Sequence, residues 1–388
     1  GWAGLSEAAR AAIRGADLLV GSERQLALVP DTGAERRPWP SPMAPVLDEL
    51  EAMTDREVCV LASGDPMLHG VGATLARRLA PERLEVAPHP SAHALACARL
   101  GWPEAETELI SAVARPVEVI APALQPGQRI VVYVFGADGA AQVARVARER
   151  GYGPSRLVVL EELGGDGERI VESAAADWGE RPAAALHAVA LECRAEPGAP
   201  LLPRTPGLPD ESFESDGQLT KREVRAVTLA ALAPVPGQLL WDVGAGSGSI
   251  AIEWMRAHRS CRAIAIEPRA DRAERIGRNA LRLGVPGLDV VKGEAPSALE
   301  GLDAPDAIFV GGGLTADGLL ERCLSALRPS GRIVANAITL EGERILHAAH
   351  HEHGGSLVRL EIGRAEPLGG FTAWRAGRPV VQWSAAPA

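Results

Sequence analysis

Apolar and polar positions alternate in blocks along the second half of the chain. Short apolar runs typical of strands are separated by stretches with helical spacing, a pattern that predicts a parallel sheet flanked by helices. The predicted strands are Leu239–Val243, Ala263–Glu267, Asp289–Val291, Ala307–Val310 and Arg332–Ala335. Two more runs, Leu357–Ile362 and Val380–Trp383, are joined by a Gly- and Pro-containing stretch without helical spacing, so the last strand is predicted to be antiparallel.

The first half of the chain shows the same alternation and is also predicted to be α/β. Its predicted strands are Asp17–Val20, Val58–Ala62, Leu84–Ala87, Ile130–Phe135, Leu157–Leu160 and Ala185–Leu191. Its predicted helices are Val71–Leu79, Ser91–Leu100 and Ala140–Arg150. We expect two lobes that meet near Glu106–Pro116.

A proline-rich stretch without periodicity separates the two halves. Residues 195–217 contain five prolines and are predicted to be a linker. The expected organisation is therefore a domain at 1–194, a linker at 195–217 and a second domain at 218–388. With 388 residues, of which 46% are hydrophobic, the chain has enough apolar material for two cores.

Composition limits the partners of the protein. The net charge of -10 and the lack of a basic run argue against nucleic acid. No apolar run is long enough for a membrane helix, so a soluble, cytoplasmic protein is expected. The five cysteines are scattered and never form a C-x-x-C pair, a pattern typical of reduced thiols rather than of disulfides or a zinc site.

A glycine-rich segment follows the first predicted strand of the second half. Asp242 ends that strand, and Gly244, Gly246 and Gly248 occupy alternate positions before a helix that begins near Ile250. Glycines allow a sharp turn and a close approach of the backbone to a ligand, and the N–H groups of the helix start face the same crevice. Glu267 ends the next strand, where a carboxylate can accept hydrogen bonds from ribose hydroxyls.

Two other interpretations also fit this segment. The glycines can simply form a tight turn, with Glu267 exposed to solvent. A nicotinamide-dependent oxidoreductase uses a similar loop on a similar sheet. A methyltransferase is favoured by the G-x-G-x-G spacing after Asp242, by a second loop that contains Gly311–Gly313, and by the predicted antiparallel end of the sheet.

The second half resembles the decarboxylating precorrin-6B carbon-15 methyltransferases of cobalamin biosynthesis. The resemblance rests on Gly207–Phe213, Thr220–Arg225, the glycine loop, Gly293–Pro296 and Val310–Gly313. It implies a Rossmann-like class I S-adenosylmethionine methyltransferase fold with a seven-stranded sheet. The residues expected to bind the cofactor are Thr220, Asp242, Gly244, Ala245, Gly246, Ser247, Gly248, Glu267, Glu294, Ala295 and Gly311. Thr220 also begins a possible helix-capping box with Glu223.

The first half resembles the two-lobed tetrapyrrole methylases, and among them the carbon-5 methyltransferases. The resemblance rests on Leu61–Gly70, Pro90–Ala92, Ala98–Gly101 and Glu161–Ile170. It implies a second cofactor cleft at Ser63, Gly64, Asp65, Ser91 and Ala92. The family's opening strand and glycine-rich loop have no counterpart, because Gly1–Leu5 resembles only the tail of that loop.

A carbon-5 domain ahead of a decarboxylating carbon-15 domain is the arrangement of the fused C5,15-methyltransferases (decarboxylating). This resemblance implies methylation of a precorrin at carbons 5 and 15 with loss of the ring C acetate carboxyl group, with S-adenosylmethionine converted to S-adenosylhomocysteine. A homo-oligomer is expected. An alternative keeps one active methyltransferase beside a first half that serves only as a binding module.

An electron-rich macrocycle carbon needs positioning rather than a nucleophilic side chain, so no catalytic triad is expected. The candidate substrate contacts are Lys221, Arg222, Arg225, Arg364 and Asn336, since guanidinium groups suit the carboxylates of a tetrapyrrole. His347, His350, His351 and His353 crowd one predicted helix end, where histidines are favourable without a metal, and no metal is expected.

Overall fold

A computed structural model gives the three-dimensional structure of residues 1–386. The chain forms two compact units that are not contiguous in sequence. The first comprises Gly1–Ala114 and Pro126–Glu196, and the second comprises Arg115–Gln125 and the chain from Pro197 onward. Within the described residues, no helix combines the length and the apolar character needed to cross a bilayer.

The first unit contains two sheets. Strand β1 (Leu18–Gly21) is the centre of a three-stranded parallel sheet, between β2 (Glu35–Pro38) and β3 (Val58–Val60). All of β1 is buried, whereas β2 is charged and largely exposed, as expected for an edge strand. Along the chain, helix α1 (Glu7–Gly15) precedes β1, α2 (Glu23–Ala27) lies between β1 and β2, and α3 (Ala44–Ala52) lies between β2 and β3.

The second sheet of this unit has five strands, and only one neighbouring pair is parallel. The strands are β4 (Thr107–Ser111), β5 (Arg129–Tyr133), β6 (Arg156–Glu161), β7 (Arg169–Ala174) and β8 (His187–Glu192), in the order β4-β5-β8-β6-β7. The remaining helices of the unit are α4 (Val71–Leu75), α5 (Ala92–Leu100) and α6 (Gly139–Glu149).

Some predictions for the first unit were wrong. Leu84–Ala87, predicted to be a strand, is an irregular segment, and the prolines at positions 88 and 90 remove the N–H groups that a ladder needs. The helix that begins at Val71 ends at Leu75 and not at Leu79. Thr107–Ser111, in the stretch near which two lobes are expected to meet, forms strand β4, for which no strand was predicted.

The second unit is built on a seven-stranded sheet, as predicted. Its strands are β9 (Leu239–Val243), β10 (Arg262–Glu267), β11 (Asp289–Lys292), β12 (Ala307–Val310), β13 (Arg332–Ala337), β14 (Ser356–Leu360) and β17 (Val380–Ala385), in the order β11-β10-β9-β12-β13-β17-β14. Strand β17 is antiparallel to both neighbours and the other pairs are parallel, which confirms the predicted reversal at the end of the sheet.

The chain leaves β9 toward one edge of the sheet and returns on its other side at β12, so the strand order reverses between these two strands. Ligands of open α/β sheets bind at the carboxyl ends of the strands at such a point. The helices are α7 (Arg222–Leu232), α8 (Ser249–Ala257), α9 (Ala270–Arg282), α10 (Leu319–Ala326) and α11 (Leu340–His353). A two-stranded hairpin, β15 (Gly363–Leu368) and β16 (Phe371–Ala376), lies between β14 and β17 in sequence.

Successive residues of the central strands face opposite layers of core. Leu240 of β9 packs in the layer that contains side chains of α7, α8 and α9, and its neighbour Trp241 packs in the layer of α10 and α11. Leu208 and Phe213, from the proline-rich stretch, are buried in the α7–α9 layer. This part of the predicted linker is therefore a packed element of the second unit.

Candidate functional site

The glycine loop after β9 has a backbone that only glycine adopts easily. Gly244, Gly246 and Gly248 have φ angles of +71°, +61° and +75°. These values lie in the left-handed region, which is costly for residues that carry a Cβ atom. Helix α8 begins directly after Gly248. The loop therefore brings bare backbone and the N–H groups of a helix start to the carboxyl end of β9.

The loops after β9 and β12 touch each other at the point where the strand order reverses. A Cβ atom on Gly244 would lie 2.6 Å from the Cα atom of Gly312. The N–H of Gly311 donates to the carbonyl of Val243 at 2.9 Å. Gly311 and the loop Gly244–Gly248, both predicted to form the cofactor site, are thus brought together.

Glu267 is tied to the glycine loop by its carboxylate. It ends β10, is 2% exposed, and its Oε2 accepts the N–H of Gly246 at 2.8 Å. Its Oε1 accepts the N–H of Arg269 at 3.1 Å. Each carboxylate oxygen has capacity for a second hydrogen bond. Glu267 is therefore not the solvated side chain of the simple-turn interpretation, and it retains acceptors for ligand hydroxyls.

Asp242 lies beneath the same loop and is 1% exposed. Its Oδ2 accepts the N–H of Ala251 at 3.0 Å, while its Oδ1 is buried without a hydrogen-bond partner among residues 1–386. Burial raises the pKa of Asp242 to about 7, the Ala251 N–H opposes this rise, and the negative charge of Glu267 adds to it. A buried acceptor without a partner at this position fits a site for a polar ligand that donates a hydrogen bond.

This raised pKa predicts a pH-dependent stability. Because the pKa of Asp242 lies above its ordinary value of 3.8, the folded chain binds this proton more tightly than the unfolded chain. The contribution of Asp242 to stability is present below pH 3.8 and is lost as the pH rises to about 7. Asp242→Asn should flatten the fall in the free energy of unfolding between about pH 4 and about pH 7, measured by urea unfolding. If the free energy of unfolding fell equally steeply with pH in the wild type and in Asp242→Asn, a raised pKa of Asp242 would be excluded.

Four other residues predicted to bind the cofactor lie in the glycine loop or in the chain that begins beside the end of β10. Ala245 precedes Gly246, and Ser247 is 1% exposed with a hydroxyl oxygen that is buried and without a partner in the described structure. The N–H of Gly293 donates to the carbonyl of Glu267 at 3.2 Å, so the chain that carries Glu294 and Ala295 begins beside the end of β10. Glu294 is exposed and Ala295 is half-buried.

The segment before α7 passes over the glycine loop. A Cβ atom on Gly246 would lie 3.2 Å from the carbonyl oxygen of Gln218, a residue that sequence reasoning did not select. The predicted capping box is wrong, because α7 is capped at Lys221 and no side chain accepts a bond there. Thr220 instead contributes its carbonyl oxygen as an acceptor for the guanidinium of Arg225.

Arg225 is a buried structural residue and not an exposed cation. It is 0% exposed, and its Nε donates to Glu253 at 2.6 Å. Its other donors reach the carbonyl oxygens of Leu208 and Thr220 and the carboxylate of Asp210 at 3.3 Å. Glu253 also accepts the N–H groups of Gly207 and Leu208. This network fixes the segment over the glycine loop and leaves Arg225 no exposed surface for a substrate.

Exposed cations surround the start of α7. Arg222 and Lys221 are exposed, and the Lys221 Nζ lies 4.0 Å from a carboxylate oxygen of Asp210. Arg364, from the hairpin, pairs with Glu223 at 2.5 Å and lies 3.8 Å from Asp210. Since α7 leads into the amino end of β9, its own amino end lies on the side of the sheet where the glycine loop emerges.

The other candidate side chains are placed as follows. Asn336 lies near the carboxyl end of β13 and bonds to Thr228 and Gln382. The histidines lie in the last turns of α11, where His350 contacts the carbonyl of Gly354 at 3.3 Å. In the part of the chain that the structure describes, no group of three or more acidic, histidine or cysteine side chains is arranged to hold a metal ion.

In the first unit, the two predicted segments are in contact. Gly64 has a φ of +65°, and a Cβ atom on it would lie 3.2 Å from the Cα atom of Ser91. Ser91 caps α5 by accepting the N–H of Ala94 at 3.0 Å, and Ala92 is the first residue of that helix. The glycine thus allows the loop after β3 to lie against the start of α5.

The side chains of the other two residues of this loop accept hydrogen bonds from within the first unit. The Ser63 hydroxyl accepts from Arg24 at 2.7 Å and from Gln25 at 3.0 Å. Asp65 Oδ1 accepts the N–H of Met67 at 2.7 Å, the short-range bond that makes aspartate favourable in turns. Both side chains therefore hold the shape of the loop.

Sequence reasoning missed Tyr133, at the carboxyl end of β5. Its hydroxyl oxygen accepts the N–H of His93 in the first turn of α5 at 2.7 Å. Its ring meets that of His69 edge-on at 6.2 Å, and burial raises its pKa. An aromatic residue at a strand end was the available signal, but its partners are distant in sequence and no local pattern predicts them.

Comparisons with known proteins match both units. Residues 1–178 match the family model of the tetrapyrrole (corrin/porphyrin) methylases, and residues 211–387 match that of a precorrin methyltransferase domain. A precorrin-6Y C(5,15)-methyltransferase [decarboxylating] from Sinorhizobium sp is 48% identical over 386 residues, which cover 99% of this chain and 93% of the relative. The protein of the same description from Mycobacterium tuberculosis is 44% identical over 388 residues, which cover 99% of this chain and 96% of that protein.

This chain belongs to the precorrin-6Y C5,15-methyltransferase (decarboxylating) family. Among solved structures, the C-terminal domain of precorrin-6Y C5,15-methyltransferase from Rhodobacter capsulatus is 50% identical, with a TM-score of 0.46, and covers 48% of this chain and all of that domain. As a member of this family, the chain is an S-adenosylmethionine-dependent methyltransferase. The alternative of a nicotinamide-dependent oxidoreductase is set aside.

The geometry of Glu267 predicts the effect of its replacement by glutamine. A glutamine side chain has one acceptor oxygen, so its NH2 group would face the N–H of either Gly246 or Arg269. Glu267→Gln should weaken cofactor binding to the second unit about 10- to 100-fold, the range for a hydrogen bond to a charged group. Calorimetry with S-adenosylhomocysteine measures this. The matched control is Glu274→Gln, an exposed carboxylate on α9, which should bind normally.

Proposed function

We propose that this enzyme methylates a precorrin at carbons 5 and 15 and removes the carboxyl group of the ring C acetate arm, as a step in cobalamin biosynthesis. The first unit performs the carbon-5 methylation, and the second performs the carbon-15 methylation and the decarboxylation. The observation that carries this proposal is that each unit has its own glycine-containing loop against a helix start. The names of the full-length relatives support the same pair of reactions.

In the second unit, we propose that the cofactor is held by Thr220, Asp242, Gly244–Gly248, Glu267, Glu294, Ala295 and Gly311. Glu267 accepts hydrogen bonds from ribose hydroxyls, and the bare backbone of the glycine loop allows the close approach. Asp242 lies in the same crevice with an oxygen that has no partner in residues 1–386. When bound, S-adenosylmethionine supplies an electrophilic methyl group. The corresponding residues of the first unit are Ser63, Gly64, Asp65, Ser91 and Ala92.

The nucleophile is a carbon of the tetrapyrrole, so the chain supplies position and exclusion of water. Loss of carbon dioxide from the acetate arm leaves an electron pair that the conjugated ring system accepts. The protein must hold the carboxylate arms. We assign this role to Lys221, Arg222 and Arg364, which lie around the start of α7, and to Asn336 of β13.

The proposed division of labour predicts two cofactor sites in one chain. Calorimetry of the full-length protein with S-adenosylhomocysteine tests this, because binding is counted per chain. A stoichiometry of two supports a catalytic first unit. If one S-adenosylhomocysteine binds per chain, and a variant of the second unit abolishes that binding, the first unit would serve in substrate binding alone.

The family acts on a small-molecule tetrapyrrole. We propose that the enzyme works in the cytoplasm, where its five free cysteines stay reduced. We also propose a homo-oligomer, since Phe371 and Trp374 of the hairpin are 84% and 79% exposed, and exposed aromatic side chains favour association. Sedimentation of the purified protein measures the oligomeric state.

A further inference from the structure

Three polar side chains from separate elements of the second unit form a closed triangle. Asn336 of β13 lies directly opposite Gln382 of β17 in the sheet register. The Gln382 Nε2 lies 3.0 Å from Asn336 Oδ1 and 2.9 Å from the hydroxyl oxygen of Thr228, on α7. Asn336 Nδ2 lies 2.9 Å from the same hydroxyl oxygen. Each corner of the triangle therefore contacts the other two.

Counting donors and acceptors fixes the orientation of both amides. In the arrangement above, Gln382 donates both amide hydrogens, Thr228 accepts two bonds, and Asn336 accepts one and donates one. If only one amide were reversed, two NH2 groups or two carbonyl oxygens would face each other. If both were reversed, the single hydroxyl hydrogen of Thr228 would have to serve two carbonyl oxygens. Only the first arrangement makes all three contacts hydrogen bonds.

Among residues 1–386, one amide hydrogen of the triangle has no acceptor. It belongs to Asn336 Nδ2, because both hydrogens of Gln382 Nε2 are engaged. Thr228 and Gln382 are 0% and 4% exposed, whereas Asn336 is only partly buried. Asn336 is therefore the corner of the triangle that a ligand can reach.

The position of Asn336 places this hydrogen on the substrate side of the sheet. Val310, the last residue of β12, pairs with Ala335, so Asn336 extends one residue beyond the end of that strand. The loop that begins at Gly311 contacts the glycine loop at Gly244. Asn336 therefore lies at the carboxyl edge of the sheet, on the side of β12 away from β9 and Glu267.

We propose that Asn336 binds a carboxylate arm of the tetrapyrrole through its unused N–H, and that Thr228 and Gln382 are positioning residues that orient its amide. A neutral donor held in one orientation recognises a carboxylate at a defined place, whereas the flexible cations at the start of α7 supply attraction. This inference rests on the proposed function of the second unit.

The decisive variant is Asn336→Asp in the full-length enzyme. Its carboxylate can still accept from Gln382 and from the Thr228 hydroxyl, but it has no donor and repels a substrate carboxylate. We expect the KM for the tetrapyrrole at the carbon-15 reaction to rise about 10- to 100-fold, the range for a hydrogen bond to a charged group. The affinity for S-adenosylhomocysteine should change less than about twofold.

Two further variants separate orientation from folding. Gln382→Glu removes both amide donors at position 382. Asn336 is then expected to reverse its amide so that its NH2 group faces the new carboxylate. The tetrapyrrole KM should therefore rise, as in Asn336→Asp. Thr228→Ser keeps the hydroxyl and should behave as the wild type. A substrate analogue whose carboxyl groups are methyl esters should reduce the difference between wild type and Asn336→Asp, an effect that a purely structural triangle would not produce.

An unchanged tetrapyrrole KM in Asn336→Asp, with wild-type turnover intact, would overturn the inference alone. Equal losses in substrate and cofactor affinity, accompanied by a lower melting temperature, would make the triangle a packing element and also overturn it. If Asn336→Asp fails to fold, the KM of Gln382→Glu decides between the same outcomes. Absence of carbon-15 methylation by the wild-type enzyme would instead contradict the proposed function.

Discussion

Replacing Gly244 by alanine is expected to abolish cofactor binding in the second unit. The new Cβ atom would lie 2.6 Å from Cα and 2.7 Å from N of Gly312, and backbone atoms cannot rotate away as a side chain does. The φ of +71° adds a further cost. A total of about 3 kcal/mol or more corresponds to at least about a 100-fold loss of affinity for S-adenosylhomocysteine.

The matched control for this variant is Gly277→Ala, in the middle of α9. A Cβ atom on Gly277 meets no atom within 4 Å, and alanine is favoured over glycine inside a helix by about 0.5–1 kcal/mol. This control should bind the cofactor normally and be slightly more stable. Normal calorimetric binding by Gly244→Ala would show that the contact between the two loops is not required for the site.

Replacing Arg225 by leucine is expected to cause the largest loss of stability. Glu253 is 3% exposed and would remain buried without its cationic partner, and the carbonyl oxygens of Leu208 and Thr220 would lose their donor. Breaking a buried ion pair by removing one member costs about 3–5 kcal/mol. Arg225→Lys should recover little, because lysine lacks the planar fork that reaches several acceptors at once.

Chemical unfolding of the full-length chain measures this loss in the transition assigned to the second unit. The control is Arg359→Ala, which removes an exposed ion pair with Glu361 and should cost less than about 1 kcal/mol. A free energy of unfolding for Arg225→Leu within about 1 kcal/mol of the wild type would mean that the network does not hold the segment over the glycine loop.

Local patterns sufficed for the sheet of the second unit and for the glycine loop. Strands β9 and β12 were predicted to the residue, because both are fully buried and, apart from Asp242, consist of apolar residues. The three alternate glycines proved to have positive φ angles, which is the reason for their presence. Glu267 was identified from its position at the next strand end, and its bond to Gly246 gives that position a physical basis.

Features that depend on distant partners were not accessible from the sequence. Strand β2 is charged and exposed, so it carries no apolar signal. The burial of Arg225 was not predicted, because three of its four partners lie 15 to 28 residues away in the chain. The triangle around Asn336 was also invisible, since Gln382 becomes its neighbour only through the reversed last strand.

The division into units shows the same limitation. Residues Arg115–Gln125 group with the second unit although they precede the linker by many residues. Gly284 accommodates this segment with a φ of +81°, and a Cβ atom on it would lie 2.4 Å from Cδ of Pro122. A prediction that divides the sequence into contiguous domains cannot place a segment of the first half in the second unit.

We propose that carbon-15 methylation and decarboxylation both belong to the second unit. This is tested by mass spectrometry of the products formed from precorrin-6B by the full-length wild type and by Gly244→Ala. For a reaction in which the macrocycle accepts the electrons of the lost carboxylate, the wild-type product should be about 16 mass units lighter than the substrate, from about 28 gained as two methyl groups and about 44 lost. The variant should add one methyl group and retain every carboxyl group. Release of carbon dioxide by Gly244→Ala at the wild-type rate would show that decarboxylation does not depend on the second unit's cofactor site.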